Sequence, residues 1–211
     1  MSGLRVALGA AALLLFLAGV DVASRHLAEN RLETRARTEV PAAGSIEADI
    51  DSFPFLPRLL ASGSAGDVDL RLDQVPTQAA QLTTVKVELR DVKLDRDALF
   101  SRQVSVDSIE GGTVSAELDA ASLSRAVGRQ VTVGGGEVRS RVGPANVSAR
   151  PAVGNDGALV LRLGPLRLTV ALPRSKLLAC SATRVAVVGD RVRLSCEVDD
   201  VPPALRRRLS S

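Results

Sequence analysis

The chain has no tryptophan, no tyrosine, four phenylalanines, one histidine and two cysteines. Each scarcity removes a class of function. Without an aromatic platform for bases, single-stranded nucleic-acid binding is set aside. Charge points the same way. The 27 Lys and Arg are nearly balanced by 24 Asp and Glu, and the net +3 is dispersed rather than gathered into a basic patch. No nucleic-acid partner is expected, although a mild positive excess suits an anionic membrane surface. Reactive constellations are scarce too. His26 stands alone, no His/Cys cluster has zinc spacing, and neither a Gly-x-Ser-x-Gly elbow nor a phosphate-binding lysine loop occurs. The adjacent Asp199 and Asp200 suit a turn better than catalysis or calcium. No catalytic residue, metal or cofactor is implied.

Apolar residues are plentiful. Hydrophobic side chains make up 45% of the chain against 24% charged, enough to bury a core. The N-terminus carries Arg5, an uncharged run from Val6 to Val20, and Asp21 closing it. That run lies between a signal-peptide core and a short membrane span. Cleavage after Ala23 would put Asp21 at the −3 position, and cleavage after Gly19 would put Leu17 there, so an uncleaved anchor is favoured over a cleaved signal. Arg5 on the short side orients the body outward, to the outer face of the cytoplasmic membrane. In an exported chain the pair Cys180 and Cys196 reads as a disulfide, with two buried thiols as the alternative.

Periodicity then divides the chain. Ala28, Leu32, Ala36 and Val40 share one helical stripe, with charged residues between them, and the helix should stop before Pro41. Beyond Gly44 the period becomes two. Ile46-Ala48-Ile50, Val68-Leu70-Leu72 and Val85-Val87-Leu89 begin a series of strand candidates. It continues through Val104-Val106, Val114–Leu118, Val131–Val133, Val138–Val142, Val147–Ala149, Leu159–Leu163, Leu166–Leu172, Val185–Val187 and Val192–Val198. Turns fall at Asn155–Gly157 and Gly189-Asp190. Asp119 can cap a short helix to Val127, and helical turns are expected at Pro54–Leu60 and Pro203–Leu209. The fold class is therefore α+β and mostly β: a long N-terminal helix, then a curved antiparallel sheet, cup- or half-barrel-like, with one or two short helices. The expected divisions are a signal-like anchor at 1–21, a helix at 22–40, a β-rich domain at 41–202 and a basic tail at 203–211.

One segment stands out, Ser52-Phe53-Pro54-Phe55-Leu56-Pro57-Arg58-Leu59-Leu60. It reads either as a hydrophobic corner plugging the core or as an apolar rim meeting acyl chains, with Arg58 near a phosphate. Phe-Pro-Phe-Leu after the short acidic strand ending Ile50-Asp51 resembles the hallmark of the LmeA-like phospholipid-binding proteins of actinobacterial envelopes. The resemblance continues through Leu59-Leu60-Ala61-Ser62-Gly63 into Val68-Asp69-Leu70. Leu89-Arg90-Asp91-Val92-Lys93-Leu94 and Gly112-Thr113-Val114 running to Leu123 extend it. It implies a phospholipid or lipid-anchored glycan ligand, a role in envelope maintenance and no catalytic centre. The candidate lipid-binding residues are Phe53, Pro54, Phe55, Leu56, Arg58, Leu59 and Leu60. Two other readings compete: a scaffold recruiting an envelope protein partner, and an enzyme acting on envelope glycolipid through carboxylates.

Overall fold

A computed structural model describes residues 2–94, 106–155, 157–170 and 182–198, with side chains described from residue 15 onward except at 182. Helix α1 runs unbroken over Ser2–Glu39, joining the apolar stretch to the charged one that follows it. Strand β1 (Ser45–Asp51), helix α2 (Phe55–Ser62) and the long strands β2 (Ser64–Pro76) and β3 (Gln81–Leu94) come next. Then follow β4 (Val106–Ser108), β5 (Gly111–Asp119) and helix α3 (Ala120–Val127). The remainder is β: β6 (Val131–Gly134), β7 (Glu137–Val142), β8 (Ala145–Ala149), β9 (Ala152–Val153), β10 (Leu159–Leu163), β11 (Leu166–Val170), β12 (Ala182–Val188) and β13 (Arg191–Val198).

The largest sheet has the order β1-β2-β3-β5-β13-β12, with β4 beside β3, and every pairing is antiparallel. Two three-stranded sheets, β11-β10-β9 and β6-β7-β8, complete the body. The sheets are curved and do not close into a barrel. Alternation decides which side is inside. Ile46, Leu72, Val85, Ala116 and Leu194 are register partners across five strands and all are buried, while the residues between them are polar. The small sheets and α3 cover this row, adding Val131, Val138, Leu159, Leu161, Leu163 and Leu123 to one continuous core. Each such leucine, withdrawn from water, contributes about 2 kcal/mol. A second, smaller cluster sits at the other end of the same face, where Ile50, Phe55, Ala65, Val92 and Ile109 pack together. Gly112 is required at that end because a side chain there would collide with the Glu88 carbonyl oxygen.

The edges of the main sheet are treated differently. Strand β12 forms one edge. At the other, α1 lies along β1, and its acidic side chains take up backbone amides that no strand reaches: Glu33 accepts from Ala48 N–H and Glu29 from Ile50 N–H, each at 3.2 Å. A helix laid over a strand edge in this way removes a template for unwanted pairing.

The transmembrane expectation for the N-terminal segment is corrected here. Among the described residues no helix is long and apolar enough to cross a membrane. Asp21 ends the apolar run short of the roughly 20 residues a span needs, and charged residues follow it within the same helix. Cys196 is buried on β13 beside Val114. Cys180, Asp199, Asp200, Val104, the turn at Pro203–Leu209 and the tail at 203–211 lie outside the described residues.

Candidate functional site

Helix α2 carries most of the candidate segment, and its start is unusual. Pro54 occupies the N-cap position in extended conformation with no side-chain cap of its own, after a cis Phe53–Pro54 peptide bond. The exposed amides are instead met by Asp21 of α1. Its two carboxylate oxygens accept from Phe55 N–H at 2.9 Å and Leu56 N–H at 2.6 Å, and the side chain is 6% exposed. A carboxylate at a helix N-terminus is favoured by both hydrogen bonding and the helix dipole. At the far end Gly63 takes the left-handed conformation, φ 74°, and its N–H closes on the Leu59 carbonyl at 2.8 Å. Thus α2 is tied to α1 at one end and to β2 at the other.

This arrangement divides the Phe-Pro-Phe-Leu segment. Phe55 is 4% exposed and anchors the smaller cluster, while Leu56 and Leu59 are half-buried against it. Phe53 is 75% exposed and Leu60 58%, and Pro54 and Arg58 are exposed too. Phe55 is therefore part of the buried core at this end, whereas Phe53, Pro54, Arg58 and Leu60 are exposed to solvent. Arg58 makes no ion pair with the described residues, although its charge acts on nearby Asp91.

Between the two buried clusters lies a row that neither fully covers. Ala48, Leu70 and Val87 are register partners on the inner face of β1, β2 and β3, and all three are half-buried. Val68 and Leu89, one row nearer α2, are half-buried as well. Leu32 belongs to the same helical stripe as Ala28, which packs on the smaller cluster, and Ala36, which packs on the larger. Leu32 itself is 38% exposed, and the neighbouring Glu33 is the residue bonded to Ala48. The result is an apolar strip between α1, α2 and the inner face of the sheet. Period-two alternation marks these side chains as inward-facing, but nothing in one sequence separates an inward residue that is covered from one that is not.

The remaining titratable candidates lie in two other places, His26 on α1 and an acidic group on the sheet. His26 Nδ1 lies 2.8 Å from Glu29 Oε2, and the other oxygen of that carboxylate serves Arg25 and the Ile50 amide, so the histidine belongs to the α1–β1 seam. On the outer face of the sheet a depression of about 330 Å³ is lined by Asp51, Asp67, Asp69, Glu88 and Arg90, among others. Burial, then the negative charges of Glu88 and Asp49, push the Asp69 carboxyl above its ordinary value. Among the described residues, no group of His, Cys, Asp or Glu has an arrangement that could hold a metal ion.

A curved antiparallel sheet with a row of half-buried apolar side chains on its inner face, packed between two buried clusters and flanked by a long helix, defines an open-sheet α+β class of protein. The sequence agrees with that class. The model of the LmeA-like phospholipid-binding family matches residues 19–208, nearly the whole chain, and the protein belongs to that family. No curated protein and no solved structure matches the chain.

Proposed function

We propose that the protein shelters the acyl chains of a phospholipid, or of a lipid-anchored glycan, in the strip formed by Leu32, Ala48, Val68, Leu70, Val87 and Leu89. It would do so at the outer face of the cytoplasmic membrane, in support of envelope maintenance and without catalysis. The observation that carries this reading is the half-buried row Ala48–Leu70–Val87 between two buried clusters, which exposes apolar surface that a closed core would cover. Leu56 and Leu59 extend the strip towards α2. The apolar front of α1 attaches the body to the membrane. In that oxidising compartment Cys196 is bonded to Cys180, which non-reducing peptide mapping checks. Protease shaving of spheroplasts checks the location.

The strip itself is tested by filling it. The chain has no native tryptophan, and Leu70→Trp or Val87→Trp adds bulk where the acyl chain would lie. Each should lower affinity for a fluorescent-tailed phospholipid by about tenfold or more, roughly 1.4 kcal/mol, with the fold retained by circular dichroism. Undiminished binding in both folded variants would remove the strip from the site. Mass spectrometry of organic extracts of the full chain identifies the ligand class.

A further inference from the structure

We propose that the α2 pole is a docking surface for a phospholipid bilayer, in which Phe53 and Leu60 enter the interface together with the apolar front of α1 while Arg58 meets lipid phosphate. The distribution of exposed apolar side chains is the first observation. Among the described residues, seven exposed large hydrophobics lie at this end, Leu15, Phe16, Leu17, Val20 and Val22 on α1, Phe53 before α2 and Leu60 on it, while Leu27 and Leu32 lie further along α1 and Val153 and Val188 elsewhere. Single apolar residues scattered over a surface need no explanation, but a concentration at one end does.

The second observation is the tie that makes this end one unit. Asp21 holds the first turn of α2 through two amide hydrogen bonds, and it also marks the point on α1 where Leu15–Val20 leave the body. Helix α1 runs antiparallel to β1, since Glu33 meets Ala48, Glu29 meets Ile50 and Asp21 meets Phe55 in order. The apolar front of α1 and Phe53 therefore project from the same end. The third is charge. Arg58 is exposed on α2 without an ion pair among the described residues; its charge reaches Asp91, whose carboxylate is already paired with Lys93 Nζ at 3.1 Å. A cation free to pair beside two exposed apolar side chains matches the layering of a phospholipid interface, where phosphate lies just outside the acyl region.

Docking at this pole brings the α2 end of the strip to the bilayer. That consequence rests on the proposed lipid site; the docking surface itself does not.

The test uses the full chain and its lack of tryptophan. Phe53→Trp and Leu60→Trp each introduce the only indole, at positions already exposed, and Val188→Trp supplies a control on the β12–β13 hairpin. With vesicles of phosphatidylcholine and phosphatidylglycerol, emission from the first two should shift to the blue and be quenched by brominated acyl chains, while the control should stay unquenched. In the same assay Arg58→Ala should bind anionic vesicles about fivefold more weakly, the effect of one interfacial cation, with a smaller loss on zwitterionic vesicles, whose phosphate is offset by the choline. Vesicle binding with an unquenched indole at position 53 would leave the α1 front as the anchor and overturn the proposal. Equal quenching of the control, or burial of that indole by self-association without vesicles, would do the same. Binding of a short-chain phospholipid below its micelle concentration is measured in parallel. If it persists where docking fails, the lipid site stands and only the docking surface falls.

Discussion

The two short helices α2 and α3 are the same length, eight residues, and both end on a left-handed glycine, Gly63 at φ 74° and Gly128 at φ 71°. They begin in opposite ways. Helix α3 is capped by its own preceding residue: Asp119 Oδ1 accepts from Ser122 N–H at 2.7 Å. Helix α2 follows a proline, has no cap of its own, and receives the Asp21 carboxylate from the far side of the chain. Helix α3 lies over the larger core with Leu123 fully buried. Helix α2 buries only Phe55 and leaves Phe53, Arg58 and Leu60 outside. A locally specified helix closes the core, and a helix held from a distance faces the solvent beside the open strip. The end of the molecule that carries the proposed function is the end whose local structure depends on α1.

The largest expected effect separates the two phenylalanines around Pro54. Phe55→Ala removes the centre of the smaller cluster and should cost about 3–5 kcal/mol of stability. Phe53→Ala alters a surface residue and should change stability by less than about 0.5 kcal/mol, while weakening vesicle binding. Chemical denaturation of the pair decides it. Equal destabilisation would mean that the segment is a core plug throughout, and the contrast between buried and exposed residues in α2 would collapse.

Next in size is the removal of the long-range cap. Asp21→Ala leaves two α2 amides without an acceptor, one of them buried, and should cost about 2–3 kcal/mol. Hydrogen exchange should rise at Phe55 and Leu56 while the amides of α3 keep their protection. Uniform loss of protection in both helices would show that α2 does not open separately from the body.

Much of the fold could be read from periodicity, because alternation is a local property. Strands β1, β5 and β13 follow it closely, the turn at Gly189-Asp190 joins β12 to β13, and Asp119 caps the helix ending at Val127. The long strands were legible only in their alternating centres. Near Gly66 the pairing of β2 with β3 shifts register, and Asp91 takes a positive φ of 43°, so the pattern breaks before the strand does. The two-residue strand β9 is too short to leave a pattern. The site was harder to read for a different reason. Asp21, Glu29 and Glu33 look like the charged face of a solvated helix, yet each accepts a hydrogen bond from a backbone amide distant in sequence. Which of Phe53 and Phe55 is buried, and which inward residues stay half-covered, are likewise set by partners far along the chain.

The smallest expected effect concerns the local cap, and it carries a pH signature. Replacing an N-cap aspartate by alanine typically costs about 1 kcal/mol, so Asp119→Ala should melt slightly below the wild type at neutral pH and leave vesicle binding intact. Burial pushes the Asp119 carboxyl upward, but hydrogen bonds from Ser122 and Thr83 reverse this and hold it below the ordinary aspartate value. A carboxyl that is more acidic in the fold than in the unfolded chain stabilises the fold above the unfolded value, about pH 4. That contribution is lost as pH falls through the folded value. The wild type and Asp119→Ala should therefore differ most at pH 7 and converge in melts at the acid end of the carboxylate range. Asp73, Asp91 and Glu117 are also held low, but they are present in both proteins and cancel in the difference. A gap that stays constant down to the acid end would mean that Asp119 supports α3 through packing rather than through its charge, and the local cap would lose its place beside Asp21 as a device of the same kind.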